Sequence, residues 1–369
     1  MRPNQRLAYN LRQTLTDGFD RLVLSRPGGG GEEVHPAPDS PTATEALIAH
    51  ALAQAKAGLV KIAVVHKDGG RTLLDARHGS ARLVPAAQTV DKAMAGKARA
   101  LRPDDNGPLL RAIGIQNADG SISATNAKKY KQVSHLVELL RPAWQAAAAS
   151  RPVDEAAPLR ILDLACGNAV LSFVLADALR GAGLPCRLRG VDRRADLVTR
   201  CLTRAAELDL PQLSFSEATI AEAAGLTDAL GGPPDLVLAL HACDGATDEA
   251  LQVGVSLGAA ALFVVPCCQA ELAQSLRRTR GGPTPAYRHG LLLREHAATL
   301  TDALRVDWLE AQGYEVDVVE FIDLGHTAKN RLLRATRTGP ARPEALAAWK
   351  ARGEALGALP SGLSAASAG

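Results

Sequence analysis

The chain has 369 residues, 47% of them hydrophobic and 22% charged, which excludes a wholly disordered protein and leaves room for two or three domains. Aromatic residues make up only 3%, so a core of Ala, Val and Leu is expected and a base-stacking platform for single strands is not. The formal charge of +3 divides unevenly: residues 1–150 hold 20 Lys and Arg against 13 Asp and Glu, the remainder 22 against 26, so +7 faces −4. A basic front half suits an anionic partner such as RNA, or an ordinary solvated surface.

No run approaches the roughly 18 apolar residues of a spanning helix, and the start, MRPNQRLAYNLRQ, lacks the apolar core of a secretory leader. A cytoplasmic protein with no membrane partner is therefore expected, its six cysteines reduced. Nothing in the sequence sets the oligomeric state.

Residues 1–27 read as a short helix and an apolar strand, RLVLS. Residues 28–44, rich in Gly, Pro, Ser and acidic residues, read as a flexible linker. Residues 45–127 give a helix (EALIAHALAQAKA), an alternating strand (LVKIAVVH), a turn at Asp68-Gly69-Gly70 and further short strands: a small α+β domain. A second domain is expected over 128–339, opening on a helix from Lys128 to about Ala148 whose start is basic with Lys128, Lys129 and Lys131. Residues 340–369 form a tail with one helix near Glu344 and a mobile end.

From Leu159 the rhythm changes. LRILDL, RLRGVD, LSF, DLVLAL, AALFVV, EVDVVEFI and RLLRAT alternate with amphipathic stretches, a spacing that implies parallel strands with right-handed crossovers. The last two runs are joined only by residues 323–330, too few for a crossover helix, so that pair is antiparallel. The expected fold class is α/β, a Rossmann-like seven-stranded sheet with its last strand pair antiparallel, the layout of class I methyltransferases, preceded by the small α+β domain.

In ILDLACGNAVLSF, Asp163 ends a buried strand and the small-residue turn Ala165-Cys166-Gly167 opens a helix, allowing close backbone approach to a ligand. The full G-x-G-x-x-G of a pyrophosphate site is absent. The next strand ends at Asp192, where a carboxylate can accept both hydroxyls of a ribose. S-adenosylmethionine fits both observations. Glu217 and Thr219, at the end of the third strand, are assigned to the adenine side, and Leu240 to the pocket wall after the fourth.

Three further strings occur in order: Leu240-His241-Ala242-Cys243-Asp244-Gly245-Ala246-Thr247-Asp248, Val265-Pro266-Cys267-Cys268-Gln269, and Glu320-Phe321-Ile322-Asp323 with His326-Thr327-Ala328-Lys329-Asn330. With Lys129-Tyr130-Lys131-Gln132 and Thr301-Asp302-Ala303-Leu304-Arg305, they resemble a group of bacterial class I S-adenosylmethionine-dependent methyltransferases over roughly residues 100–337, and distantly a domain of transfer-RNA ribose methyltransferases. The chain departs from that pattern at Ala165, Asn168 and Gly325. The resemblance implies a methyltransferase that uses S-adenosylmethionine.

The strand ends gather His241, Cys243 and Asp244 with Cys267 and Cys268. His241 or Asp244 can orient or deprotonate a hydroxyl or nitrogen for in-line attack on the methyl. Cys243 and Cys267 can instead attack a pyrimidine ring covalently, as in RNA pyrimidine C5 methyltransferases. A thiolate and imidazole metal set, or buried thiols that merely line the pocket, are the remaining readings. His241, Asp244 and Cys267 are taken as the catalytic set, and no metal site is assigned. Lys129, Lys131, His326, Lys329 and Asn330 are the expected contacts to an anionic substrate. RNA is the favoured acceptor; the alternatives are a small molecule or protein acceptor, or a catalytically lapsed cofactor-binding scaffold.

Overall fold

The computed structural model describes all residues except 1, 17, 27–30, 59–60, 87, 89–100, 241, 243–244, 267–269, 279–287, 321–330, 358, 361 and 364–369, with 227, 229, 270 and 278 described by backbone alone. The chain divides into two compact units, Met1–Ser134 and His135–Gly369.

Unit 1 holds α1 (Pro3–Thr16), β1 (Arg21–Ser25), β2 (Glu32–Pro36), α2 (Pro41–Lys56), β3 (Lys61–Val65), β4 (Arg71–Asp75), β5 (Ala81–Val84) and α3 (Gly107–Ala112). Its five strands form one antiparallel sheet in the order β2-β1-β3-β4-β5. Leu7, Leu11 and Leu15, four residues apart along α1, share one face and pack with Ile48 and Ala51 of α2 and Ile62 and Leu74 of the sheet.

Two expectations are corrected here. Residues 1–27 and 45–127 are not separate pieces, because β1 pairs with β3, Val23 opposite Ala63. Nor is 28–44 simply a linker: EEVHP is the edge strand β2, paired with β1 so that Leu24 faces Glu33 and Leu22 faces His35. Ser40 then caps α2, its hydroxyl accepting from the Ala43 N–H at 3.3 Å. An edge strand needs no apolar run, so composition misleads there.

The helix α4 (Ala124–Ser150) runs through the boundary between the units. Unit 2 continues with β6 (Leu159–Leu164), α5 (Val170–Gly181), β7 (Cys186–Asp192), α6 (Ala195–Glu207), β8 (Leu213–Glu217), a 3-10 helix (Ala221–Leu230), β9 (Leu236–Ala239), α7 (Gly245–Ser256), β10 (Ala261–Val264), α8 (Ala270–Arg278), α9 (Gly290–Ala311), β11 (Tyr314–Glu320), β12 (Arg331–Arg337) and α10 (Pro343–Ala355).

The sheet order is β11-β12-β10-β9-β6-β7-β8. β6 to β10 run parallel, and β12 lies antiparallel to both β10 and β11. This is the Rossmann-like seven-stranded order, closed by an antiparallel pair, that the alternating runs led one to expect. The direction of winding reverses between β6 and β9, and ligands bind at such switch points, outside the carboxyl ends of the strands.

β9 and β10 are buried at every position, as strands covered on both faces must be. All three tryptophans, Trp144, Trp308 and Trp349, are buried, so the scarce large aromatics serve the core. Trp349 ties the tail helix α10 to α9, its indole N–H donating to the Leu304 carbonyl at 2.9 Å. Among the described residues no helix is long and apolar enough to cross a membrane.

Candidate functional site

The carboxyl ends of β6 and β7 lie side by side, Leu164 opposite Val191. The chain leaves β6 through a turn in which Ala165, Gly167 and Ala169 all adopt positive φ, at 53°, 59° and 51°. Gly167 accepts that conformation freely, whereas each alanine costs on the order of 1–2 kcal/mol. The cost is borne because the turn is held from outside: the Cys166 N–H donates to the Val191 carbonyl at 3.0 Å, and the Gly167 N–H to Asp192 Oδ2 at 2.9 Å.

The two carboxylates behave oppositely. Asp163 is buried beneath the turn, and the Ser172 hydroxyl donates to it. Burial pushes its pKa up to about 7; the Ser172 hydrogen bond opposes the rise and the nearby charge of Asp192 adds to it. Asp192 is also buried, which alone would raise it, yet the side-chain and backbone N–H groups of Arg194 and the Gly167 N–H hold it below the usual carboxylate range. One edge therefore carries a buried acid that titrates near neutrality beside one held below the usual carboxylate range.

Small residues make room beneath. A Cβ on Gly190 would lie 2.5 Å from the Phe215 ring and 3.0 Å from Cys166 Sγ, so only glycine fits that strand position. Phe215 stacks on Phe173 with ring centroids 5.6 Å apart. Burial pushes the Cys166 thiol far up, leaving it a protonated apolar filler rather than a nucleophile.

The other sequence-assigned residues separate clearly. Glu217 is exposed at the end of β8, opposite Asp192 in register. Thr219 is occupied in a reciprocal cap: its N–H and hydroxyl donate to Glu222 Oε2, both at 2.8 Å, and its hydroxyl accepts from the Glu222 N–H. Leu240 follows β9 and is half-buried. Lys129 and Lys131 are exposed on α4 within unit 1, whereas Asp163 and Asp192 belong to unit 2. His241, Cys243, Asp244, Cys267, Cys268, His326, Lys329 and Asn330 lie outside the described residues.

Several motif residues prove to be internal fasteners. Thr247 donates to the Ala242 carbonyl at 2.8 Å, closing the connection between β9 and α7. Arg305, fully buried, donates to Asp248 at 2.6 Å and to Asp302 at 3.2 Å, and Asp302 also accepts from Arg331 at 3.0 Å. Sequence reading flagged these strings without seeing that they join one another. In unit 1, Glu33, His35 and His50 also come together.

Residues 128–275 match the family model Methyltransf_32, described as a methyltransferase domain. That segment, about two fifths of the chain, is similar to a methyltransferase domain. It contains both carboxylates and the strained turn. Comparison with curated proteins finds no match. Among solved structures, the bifunctional kinase-methyltransferase WbdD is similar at 16% identity and a TM-score of 0.34, over 55% of this chain and 39% of that one. This chain thus spans about two fifths of the WbdD structure. An rRNA methylase from Streptococcus thermophilus matches at 12% identity and a TM-score of 0.35, covering 57% of this chain and 97% of that one. The SAH-bound Podospora anserina methyltransferase PaMTH1 matches at 11% identity and a TM-score of 0.39, covering 69% and 95% respectively.

Proposed function

We propose that unit 2 binds S-adenosylmethionine at the carboxyl edge of β6 and β7 and transfers its methyl group to an oxygen or nitrogen nucleophile, with RNA as the acceptor. The observation that carries this reading is the pair Asp163 and Asp192 around the Ala165–Gly167 turn, inside the segment matched as a methyltransferase domain.

The donor set suits this cofactor. Asp192, ionised at the rim, would accept the ribose hydroxyls, and Asp163, a buried acid that titrates near neutrality, would meet the cationic amino group of the methionine moiety. Backbone at Ala165 and Gly167 would border the cofactor closely, since no large side chain stands there. When bound, the cofactor supplies a methyl group already activated by a sulfonium.

The protein's own contribution is then to hold the acceptor in line and to take its proton. His241, which follows β9 in sequence, is proposed as the base, Asp244 as the group that orients it or the substrate, and Cys267 as a lining or assisting residue after β10. Lys129, Lys131, His326, Lys329 and Asn330 are proposed contacts to the anionic acceptor, and the +7 balance of residues 1–150 supports an RNA partner.

Transfer of labelled methyl from S-adenosylmethionine to fractionated RNA, protein and small metabolites tests this reading. Label in RNA that is lost in His241→Ala and kept in Cys267→Ser is the expected result. Label confined to protein or metabolites overturns the RNA assignment, and no label in any fraction overturns the transferase reading.

A further inference from the structure

Unit 1 contains a cluster that the proposed methyl transfer does not use. Glu33 and His35 are two residues apart on β2 and so share one face of the strand. His50 reaches them from α2. Nε2 of His35 lies 2.9 Å, and Nε2 of His50 2.8 Å, from the same oxygen, Oε1 of Glu33. The two imidazoles meet edge to face with centroids 5.1 Å apart. The three ligand atoms lie within 4.8 Å of one another, the one such group among the described residues.

We propose that Glu33, His35 and His50 form a mononuclear site for a divalent transition-metal ion of the zinc type, which clips the edge strand β2 to helix α2. Two imidazole nitrogens and one carboxylate oxygen suit a borderline ion such as zinc or cobalt and not magnesium or calcium, which prefer all-oxygen shells. The fit in size is close. At bond lengths of about 2.0–2.1 Å a tetrahedral edge is roughly 3.4 Å, so the two nitrogen–oxygen pairs need to open by only about half an ångström.

Both Nε2 atoms are directed at one carboxylate oxygen, so the three donors already converge on the place a cation would occupy. All three side chains are part-exposed, so the ion has a path of entry and a coordination position left for water or another donor.

The location gives the site a purpose. β2 is the terminal strand of its sheet and pairs with β1 alone, so a bond from its outer residues to α2 secures the element with fewest partners. His50 sits beside Ile48 and Ala51, which already anchor α2 in the core, so its backbone is fixed before metal binds.

The test is titration of the metal-stripped full-length protein with zinc chloride, followed by calorimetry and thermal melting. Wild type should bind one equivalent more than the His35→Ala/His50→Ala double variant and gain a rise in melting temperature that the double variant lacks. Glu33→Gln should weaken that equivalent by about tenfold or more, as loss of ligand-shell contacts does. His78→Ala, whose ring pairs with Asp75 elsewhere on unit 1, should change neither readout. Equal stoichiometry and affinity in wild type and double variant would overturn the proposal. Because the double variant can misfold, the imidazole nitrogens of wild type are also followed by nuclear magnetic resonance: zinc should shift the Nε2 signals of two histidines, and unshifted Nε2 signals at saturating zinc would overturn the site independently.

Discussion

The Gly167 backbone N–H donates to Oδ2 of Asp192 at 2.9 Å, joining the turn after β6 to the end of β7. The proposed ribose acceptor is therefore also the clamp on the turn that borders it. Asp192→Ala would leave the Gly167 N–H without its acceptor, at a cost of about 1–3 kcal/mol. Asp192→Asn retains an acceptor oxygen and should cost less. Denaturant melts of both variants measure the difference.

Asp163 gives the molecule a pH signature. Its folded value of about 7 lies above the ordinary 3.8, so its contribution is complete below pH 3.8 and lost as pH rises towards 7. The difference amounts to something on the order of 4 kcal/mol. Asp163→Asn should flatten the decline between those pH values and make the ligand-free protein more stable at pH 8, while weakening cofactor binding. A cationic group bound beside Asp163 favours its ionised form. Cofactor binding near pH 7 should then release a proton, seen as a calorimetric enthalpy that varies with the ionisation enthalpy of the buffer.

The floor of the site is tightly filled. Gly190→Ala places a methyl 2.5 Å from the Phe215 ring and should destabilise unit 2 by about 1–3 kcal/mol. Phe215→Leu in the same chain should relieve part of that cost. A double-mutant cycle by thermal or chemical melts would then be non-additive.

Beneath the other half of the sheet, Arg305→Met would strip Asp248 and Asp302 of a buried guanidinium. A loss of about 3–5 kcal/mol is expected, measured by denaturant unfolding. Asp248→Asn should cost less, since the amide oxygen still accepts from Arg305.

Much of unit 2 was legible in sequence because short, mostly apolar runs, continuous in β9 and β10 and alternating in β7 and β8, recur between amphipathic stretches, and Asp163 and Asp192 stand out as acids near the ends of two of them. The short 323–330 connection likewise identified the antiparallel pair. The edge strand EEVHP escaped notice because one covered face leaves no apolar signal, and its composition resembles a linker. Long-range meetings were equally hidden: His50 with Glu33, and Arg305 with Asp248, come from elements that only the tertiary fold brings together. The Thr219 to Glu222 cap was visible as a T-x-x-E string, though its position after β8 suggested a ligand contact instead.

The central claim is that the edge of β6 and β7 holds S-adenosylmethionine, and calorimetric titration of the full-length protein with that compound tests it most directly. Saturable binding at one site per chain, weakened at least tenfold in a folded Asp192→Ala variant, is the predicted result. No binding by the folded wild-type protein, or equal affinity in the variant, would contradict it.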